Sequence, residues 1–164
     1  MKSQERRSKG KARSRPRPAS SRARTIFYTL AAIISLAGLA ESTYLTVSHL
    51  AGETLACIAS QGCSEVLSSK YARVGQIPLA AFGMAGYFLV FSLAILAAFG
   101  ELRVRKFLML AVAVMFLATL WLLYVQAFIL HAFCDYCLLS AAFIFALAGV
   151  LIVVPPPRPE SVEN

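Results

Sequence analysis

The sequence predicts an all-α membrane protein, a four-transmembrane-helix bundle with a short extracytoplasmic half-helix capping the active site. Of its 164 residues, 59% are hydrophobic, which is too apolar for an ordinary soluble domain. Four apolar stretches are long enough to cross a hydrocarbon core of about 30 Å, which takes about 20 helical residues. These stretches are continuously apolar rather than alternating, and in lipid only helices or closed barrels satisfy the backbone polar groups. We therefore predict four helices and no strands.

The predicted spans divide the chain into one membrane domain and two tails. We place the spans at residues 25–50, 77–99, 107–130 and 134–154. Residues 25–154 then form the four-helix domain, residues 1–24 a disordered basic cytoplasmic tail, and residues 155–164 a cytoplasmic C-terminal tail. Disorder is predicted for the first tail because Pro16, Pro18 and several serines lie among its many Lys and Arg residues.

The distribution of Lys and Arg predicts the orientation of the bundle, because short cytoplasmic loops are enriched in both. The N-terminal tail is heavily basic, and Arg103, Arg105 and Lys106 occupy the short second loop. The much longer first loop has Lys70 and Arg73, and the turn before the fourth span has no basic residue of either type. We expect a multi-pass protein of the cell inner (plasma) membrane, with both termini cytoplasmic and the cysteine-bearing segments extracytoplasmic.

Two other interpretations of the N-terminal region are less favoured. A basic run can bind nucleic acid, but beside a membrane span it is more typical of a topology signal that also contacts anionic lipid. We therefore expect a lipid bilayer and no nucleic acid as partner. The basic region, the apolar run and Gly38-Leu39-Ala40 also resemble a cleavable secretory signal. The apolar run continues to Leu50, which favours an uncleaved first span.

The four cysteines form two pairs, of which Cys134 and Cys137 make a C-x-x-C at the start of the fourth span. A helix start places both sulfurs near unsatisfied N–H groups and the positive end of the helix dipole. This position lowers the pKa of a thiol and favours the thiolate needed for thiol–disulfide exchange. A c-type haem site is excluded because Leu138, not His, follows the motif. An inert structural disulfide is the alternative.

The second pair, Cys57 and Cys63, lies in the first loop, where Gly62 predicts a turn that lets the two thiols meet. Two dithiols on one side of a membrane suggest a relay that passes two electrons between neighbouring pairs. A loop staple and a four-cysteine zinc site are the alternatives. The spacing of Cys57 and Cys63 is wider than in the usual zinc knuckle, so we expect no metal.

The residues after Cys63 predict the half-helix. Ser64 can cap it, with Glu65 in its first turn, and Gly75 and Pro78 break the chain before the second span. Its apolar side would consist of Val66, Leu67, Tyr71 and Val74.

An acidic residue, Glu41, lies within the first span. Acids inside a membrane are functional candidates by default. Glu41 lies inside or near the outer third of the span, where it can also extend to the interface or pair with a neighbour, and the sequence favours neither interpretation. Because a place near the interface permits hydration, we expect it to be dispensable for chemistry.

These motifs, in this order, resemble the bacterial branch of the vitamin K epoxide reductase family over about residues 38–142. C-x-x-C alone is not specific, but the combination is. The resemblance is carried by Ser42-Thr43-Tyr44-Leu45 with His49, Cys57 with Cys63, Ser64 through Ser68-Ser69-Lys70-Tyr71, Ile77-Pro78 with Gly83 and Gly86-Tyr87, and Phe133-Cys134-Asp135-Tyr136-Cys137.

The resemblance implies a role for each matched site residue. Cys134 and Cys137 are similar to the family's catalytic pair beside a bound quinone, with Cys137 nearer the ring. Cys57 and Cys63 are similar to the shuttle pair, with Cys63 the one that links to Cys134. Ser69 matches the loop serine near the active site, so Cys137 and Ser69 are the expected contacts to the quinone.

The resemblance further implies a quinone-dependent thiol–disulfide oxidoreductase. It would reoxidise a separate extracytoplasmic thioredoxin-fold oxidase and pass electrons to menaquinone or ubiquinone, supporting disulfide bond formation. Many bacterial relatives carry a fused thioredoxin-like domain, which we do not expect here. Ala141 stands where animal members have a tyrosine near the quinone, which weakens the case for epoxide reduction.

Two rival classes remain for comparison. Another family of four-span quinone-linked oxidases carries its C-x-x-C in the first outer loop, whereas here the motif opens the fourth span. The non-enzyme alternative is a membrane interaction protein with two structural disulfides.

Overall fold

The computed structural model describes residues 19–52, 62–99 and 102–154. Its helices are, in chain order, α1 (Ala19–Leu50), α2 (Cys63–Ser68), α3 (Leu79–Ala98), α4 (Leu102–Tyr124) and α5 (Asp135–Val153). All but α2 are long and apolar enough to cross a membrane. The predicted bundle of four transmembrane helices is confirmed, and the chain is a multi-pass membrane protein.

Two helix boundaries differ from the prediction. Helix α1 begins at Ala19, so the last residues assigned to the basic tail are helical, while residues 1–18 and 155–164 lie outside the described part. Helix α4 begins at Leu102, which puts Arg103, Arg105 and Lys106 in its first turns rather than in a loop. Long basic side chains can lie along an apolar helix with their charged ends in water, so a run of charge need not mark a helix end.

The long helices pack so that α1 and α4 each contact both α3 and α5. The fully buried side chains between them include Tyr87, Val90, Leu108, Ile144 and Leu147. Large apolar side chains such as Phe88, Leu117 and Ile152 point outward and are exposed. A soluble protein rarely exposes so much apolar surface, whereas a bilayer is a suitable solvent for it.

A glycine brings α1 and α3 close together at the level of Tyr87. A Cβ atom added at Gly38 would clash with the Tyr87 ring, so the ring lies directly against the α1 backbone. The Tyr87 hydroxyl reaches α5, where it donates to the main-chain oxygen of Ser140 at 3.0 Å and lies 2.9 Å from the Ser140 hydroxyl. Tyr87 therefore links three of the four long helices.

The C-terminal end of α5 is closed by a basic side chain from α4. Arg105 Nη2 donates a hydrogen bond to the main-chain oxygen of Val154 at 3.0 Å. The last carbonyl groups of a helix have no partner within it, and a cationic donor there also favours the helix dipole. The core at this end is apolar, with Ala94, Ala97 and Leu151 all buried.

The half-helix α2 forms, but its details differ from the prediction. Gly62 is the N-cap and no side chain caps the helix, so Ser64 lies inside it rather than before it. After a 3₁₀ turn (Lys70–Ala72), the chain forms a hairpin of β1 (Arg73–Val74) and β2 (Ile77–Pro78). Gly75 has φ +67°, which a glycine adopts without strain in the turn.

Val74, predicted on the apolar side of α2, is instead 56% exposed in β1. Two-residue strands are too short to leave an alternating pattern in the sequence, so they were not predicted.

Candidate functional site

The C-x-x-C lies at the N-terminus of α5. Cys134 is the N-cap residue in an extended conformation, with φ −110° and ψ 120°, and Cys137 lies in the first turn. The Leu138 N–H donates to the Cys134 main-chain oxygen at 3.0 Å, which closes this turn. Both cysteines are free thiols. Cys134 is completely buried and Cys137 is partly exposed.

A buried glutamine holds Cys134 in place. Helix α4 continues into a π-helical turn (Val125–Leu130) that ends at His131, a non-glycine residue with φ 49°. The Gln126 side-chain oxygen accepts a hydrogen bond from the Cys134 N–H at 3.1 Å, and its main-chain oxygen accepts from the Ala132 N–H at 3.2 Å. Gln126 thus satisfies a buried donor at the start of α5 and fixes the turn before it. Such π-helical turns are frequent at functional sites.

Hydrogen bonding favours the thiolate of Cys134. The Cys137 thiol hydrogen-bonds to the Cys134 sulfur, and backbone N–H groups of Cys137 and Tyr136 add to it, so the pKa of Cys134 falls to about 7. Burial and the nearby Asp135 carboxylate oppose this fall without cancelling it. Because the thiolate is the attacking species in exchange, Cys134 is the better nucleophile in the reduced pair.

Helix α2 brings Cys63 to the C-x-x-C. Cys63 is 1% exposed and belongs to one buried cluster with Val66, Ala132 and Cys134. Cys63 is disulfide-bonded, whereas Cys134 and Cys137 are both free, so neither of these is its partner. The predicted second member of its pair, Cys57, lies outside the described residues.

The close approach of α2 depends on Gly62. A Cβ atom there would lie 2.7 Å from the Phe133 main-chain oxygen and 2.9 Å from its nitrogen, which real Cβ atoms do not tolerate. Its φ is −89°, which any residue can adopt, so the backbone conformation at Gly62 does not itself require glycine. The predicted turn between Cys57 and Cys63 lies mainly outside the described residues. The position needs glycine because the half-helix contacts the backbone immediately before Cys134.

A cavity of about 530 Å³ lies beneath α2, within the bundle. Its walls are mainly apolar, and Val66, Leu67 and Ser69 line it from α2 and the residue that follows. The polar groups along it include the side chains of Ser42, His49, Tyr87, Thr119, Gln126 and Ser140. Pockets of about 300–1,000 Å³ with few polar groups are typical small-molecule sites.

Of the two thiols of the C-x-x-C, that of Cys137 reaches the cavity. Cys137 lines the cavity, as does Ala141 one turn later, and it also packs against the buried cluster that contains Cys134 and Cys63. Ser69 also lines the cavity, but its hydroxyl donates to the Val66 main-chain oxygen at 2.7 Å. The candidate site therefore has a sulfur cluster on one side of the motif and a ligand-sized space on the other.

The sequence led us to expect Glu41 at a hydrated interface, but the structure does not place it there. Both of its carboxyl oxygens are buried, and neither has a hydrogen-bond partner among the described residues. A single acid in an apolar sequence cannot reveal whether its end reaches water or turns into the bundle, because that depends on which helix face packs inward.

The described residues contain no group of three or more His, Cys, Asp and Glu side chains placed to hold a metal ion. The sulfur of Cys63 is in a disulfide and so cannot act as a thiolate ligand in this state.

The fold and the site together define a multi-pass membrane protein with a reactive dithiol beside an apolar cavity. A comparison with family models gives a match to the Vitamin K epoxide reductase family over residues 29–152. The chain belongs to this family, and the predicted resemblance to the family is confirmed, while its bacterial branch stays a prediction. Membership supports a membrane thiol–disulfide oxidoreductase, and the family uses quinones.

Proposed function

We propose that this protein is a quinone-dependent thiol–disulfide oxidoreductase that supports disulfide bond formation. It reoxidises a separate extracytoplasmic partner with a thioredoxin fold. Electrons pass from the partner to Cys57 and Cys63, then to Cys134 and Cys137, and finally to menaquinone or ubiquinone in the membrane.

One observation carries this proposal: the C-x-x-C connects the buried cluster of Cys63 to the cavity. Cys134 belongs to that cluster, and Cys137, which packs against it, also lines the cavity. A purely structural disulfide has no need of such an arrangement. A relay requires it, because one sulfur must exchange with the incoming pair and the other must meet the electron acceptor.

The cavity suits a quinone in size and in chemistry. Its apolar walls match an aromatic ring and a prenyl chain, and the hydroxyl group of Ser140 can hydrogen-bond to a ring oxygen. Cys137 and Ser69 would contact the ring from the start of α5 and from the end of α2. When bound, the quinone supplies the oxidising power, accepting two electrons and two protons. Ala141 contributes no hydroxyl, and the Tyr87 hydroxyl already donates to the Ser140 main-chain oxygen.

The thiol chemistry follows from the two environments. A free Cys63 thiolate attacks Cys134 of an oxidised Cys134–Cys137 bond, and Cys137 leaves as a thiolate beside the cavity. In the reduced pair, the low pKa of Cys134 makes it the thiolate that bonds to Cys137 when a bound quinone would take up the two electrons that the sulfurs release.

Burial supports Cys57 as the entry point for the partner. Cys63 is 1% exposed and Cys134 is 0% exposed, so a protein-sized dithiol cannot reach either sulfur in this conformation. By sequence, Cys57 belongs to the stretch between α1 and α2, residues 51–62, whereas Cys63 begins α2.

We further propose that the protein lies in the inner (plasma) membrane with both termini cytoplasmic and all four cysteines extracytoplasmic. The support is the Lys/Arg asymmetry, with residues 1–24 and 155–164 as tails of a membrane domain spanning 25–154. A membrane-impermeant thiol reagent should label Cys57 or Cys63 in reduced cells whose outer layers are permeabilised. Labelling only after the inner membrane is broken would contradict this orientation.

Reconstitution tests the function directly. The purified protein is placed in liposomes with menaquinone or ubiquinone and a reduced thioredoxin-fold dithiol protein, and quinone reduction is followed by absorbance. We expect one quinone reduced per partner disulfide formed, and no reaction with Cys137→Ala, which lacks the cavity-facing sulfur and whose fold is checked by circular dichroism. Equal rates for the wild type and Cys137→Ala, or no quinone reduction by the wild type, would refute the proposal and favour structural disulfides.

A further inference from the structure

A carboxyl group without a partner lies next to the reactive thiols. Both carboxyl oxygens of Glu41 are buried, and no described residue forms a hydrogen bond with them. An ionised carboxylate is disfavoured in such surroundings, because burial removes the water that would solvate its charge. The neutral, protonated form of this carboxyl group is therefore favoured.

Groups from two other helices surround this carboxyl. The Ser140 hydroxyl on α5 is near enough to interact with it, although the geometry of a hydrogen bond is not met. Tyr87 on α3 orients Ser140 through contacts of 2.9 and 3.0 Å. Cys134 and Cys137, at the start of α5, lie within electrostatic reach of Glu41.

The position of Ser140 connects the carboxyl to the cavity. Ser140 and Tyr87 both line the cavity, as Cys137 does, whereas Glu41 is not among the lining residues. Ser140 follows Cys137 by one helical turn, so the two side chains share a face of α5. A hydroxyl can accept one proton and release another, which makes Ser140 suited to carry a proton between Glu41 and the cavity.

We propose that Glu41 is a proton-relay residue, which delivers a proton through the Ser140 hydroxyl to the occupant of the cavity and regains one from the cysteine thiols. This inference rests on the proposed function and names the proton path for its last step. The walls of the cavity are mainly apolar and Cys134 is buried, so few other polar groups of the described residues lie between the thiols and the cavity.

Formation of the Cys134–Cys137 bond releases two electrons and two protons from the two thiols. A bound quinone would take up the two electrons and two protons and be reduced to the hydroquinone. One proton reaches the cavity from Glu41 through Ser140, and the other comes directly from the thiol pair. The remaining thiol proton restores the Glu41 carboxyl, so Glu41 is unchanged over one turnover.

Infrared spectroscopy tests the protonation of Glu41 without any quinone. The purified protein should show the C=O band of a protonated carboxylic acid with weak hydrogen bonding, which shifts in D₂O. The band should disappear in Glu41→Gln and remain in Glu65→Gln, a matched control whose carboxyl is exposed on α2. Absence of the band, or its persistence in Glu41→Gln, overturns the proposal.

Kinetics then test the relay itself. Glu41→Gln should lower quinone-coupled turnover about 100-fold, within the range for loss of a positioned proton donor. Its KM for the partner dithiol, and the exchange between the two cysteine pairs in a single turnover, should stay as in the wild type. Glu41→Asp should recover part of the rate, and Ser140→Ala should lose a similar factor while keeping the infrared band.

Two outcomes separate this inference from the proposed function. Wild-type turnover by a folded Glu41→Gln overturns the relay and leaves the oxidoreductase intact. No turnover by the wild type overturns the proposed function, and with it any relay, while the infrared band still reports separately whether Glu41 holds a proton.

Discussion

The two ends of the bundle are built differently, although the same helices form both. Around the C-x-x-C, the helices enclose a cavity of about 530 Å³ and bury Gln126, Ser42 and the Glu41 carboxyl group. At the other end of α5, apolar side chains such as Ala94 and Leu151 fill the interior, and Arg105 closes it. Polar groups are costly to bury in a membrane protein and are therefore a sign of function. The contrast locates the chemistry at the cysteine end.

The largest effect is expected from the relay sulfurs themselves. In Cys57→Ala, the proposed bond between Cys63 and Cys134 has no resolving thiol and should accumulate, with turnover abolished and Cys137 left free. Peptide mapping after an acid quench identifies the linkage. A trapped bond between Cys63 and Cys137 would reverse the roles within the C-x-x-C. The absence of any bond between the pairs would favour the structural interpretation.

The second-largest effect is expected at the close contact between α2 and the backbone of Phe133. Gly62→Ala places a Cβ against the Phe133 backbone, so α2 and Cys63 must move away from Cys134. Exchange rates fall steeply when reacting atoms are displaced by about 1 Å, and we expect a loss of about 100-fold in exchange between the pairs. Gly149→Ala on α5, where a Cβ meets nothing, is the matched control. Equal rates in both variants would show that the contact does not position Cys63.

The pH dependence of Cys134 sharpens the comparison between the two sulfurs. With Cys63 in its disulfide, thiolate absorbance in the ultraviolet should reach half of its first step at about pH 7. The thiolate is formed above this pH and lost below it. Exchange by Cys134 should therefore be about tenfold slower one pH unit below the midpoint than at pH values well above it. Cys137→Ala removes the hydrogen bond that lowers this pKa, and the midpoint should move to higher pH. An unchanged midpoint would mean that Cys137 does not set it.

The smallest effect is expected from Gln126, which positions the motif without taking part in the chemistry. Gln126→Leu leaves the Cys134 N–H without its acceptor, and we expect turnover to fall about fivefold, as for one lost hydrogen bond. Gln126→Glu keeps an acceptor at the same place and should be less impaired. Turnover and circular dichroism of both variants check this. A greater loss for Gln126→Glu would point to the charge rather than the hydrogen bond.

The sequence was sufficient for what depends on hydrophobicity and local pattern. Four long apolar runs predict four spanning helices, and the C-x-x-C before an apolar run predicts its place at the start of α5. It was insufficient where the outcome depends on which helix faces meet. Gln126 was missed, although an amide inside an apolar span is itself a weak signal, and Glu41 was placed in water although its carboxyl group turns inward.

The burial of Cys63 and Cys134 has a consequence for fidelity. Small thiols such as glutathione are chemically able to attack any accessible disulfide, and their attack would divert electrons from the intended route. Here the two sulfurs that must meet, those of Cys63 and Cys134, are at most 1% exposed. Cys63 begins α2, and Cys134 lies against the turn that Gln126 fixes. Competing thiols are thus kept out by the shape of the protein rather than by any difference in redox potential. The proposed exchange takes place between two sulfurs that thiols in solution cannot reach.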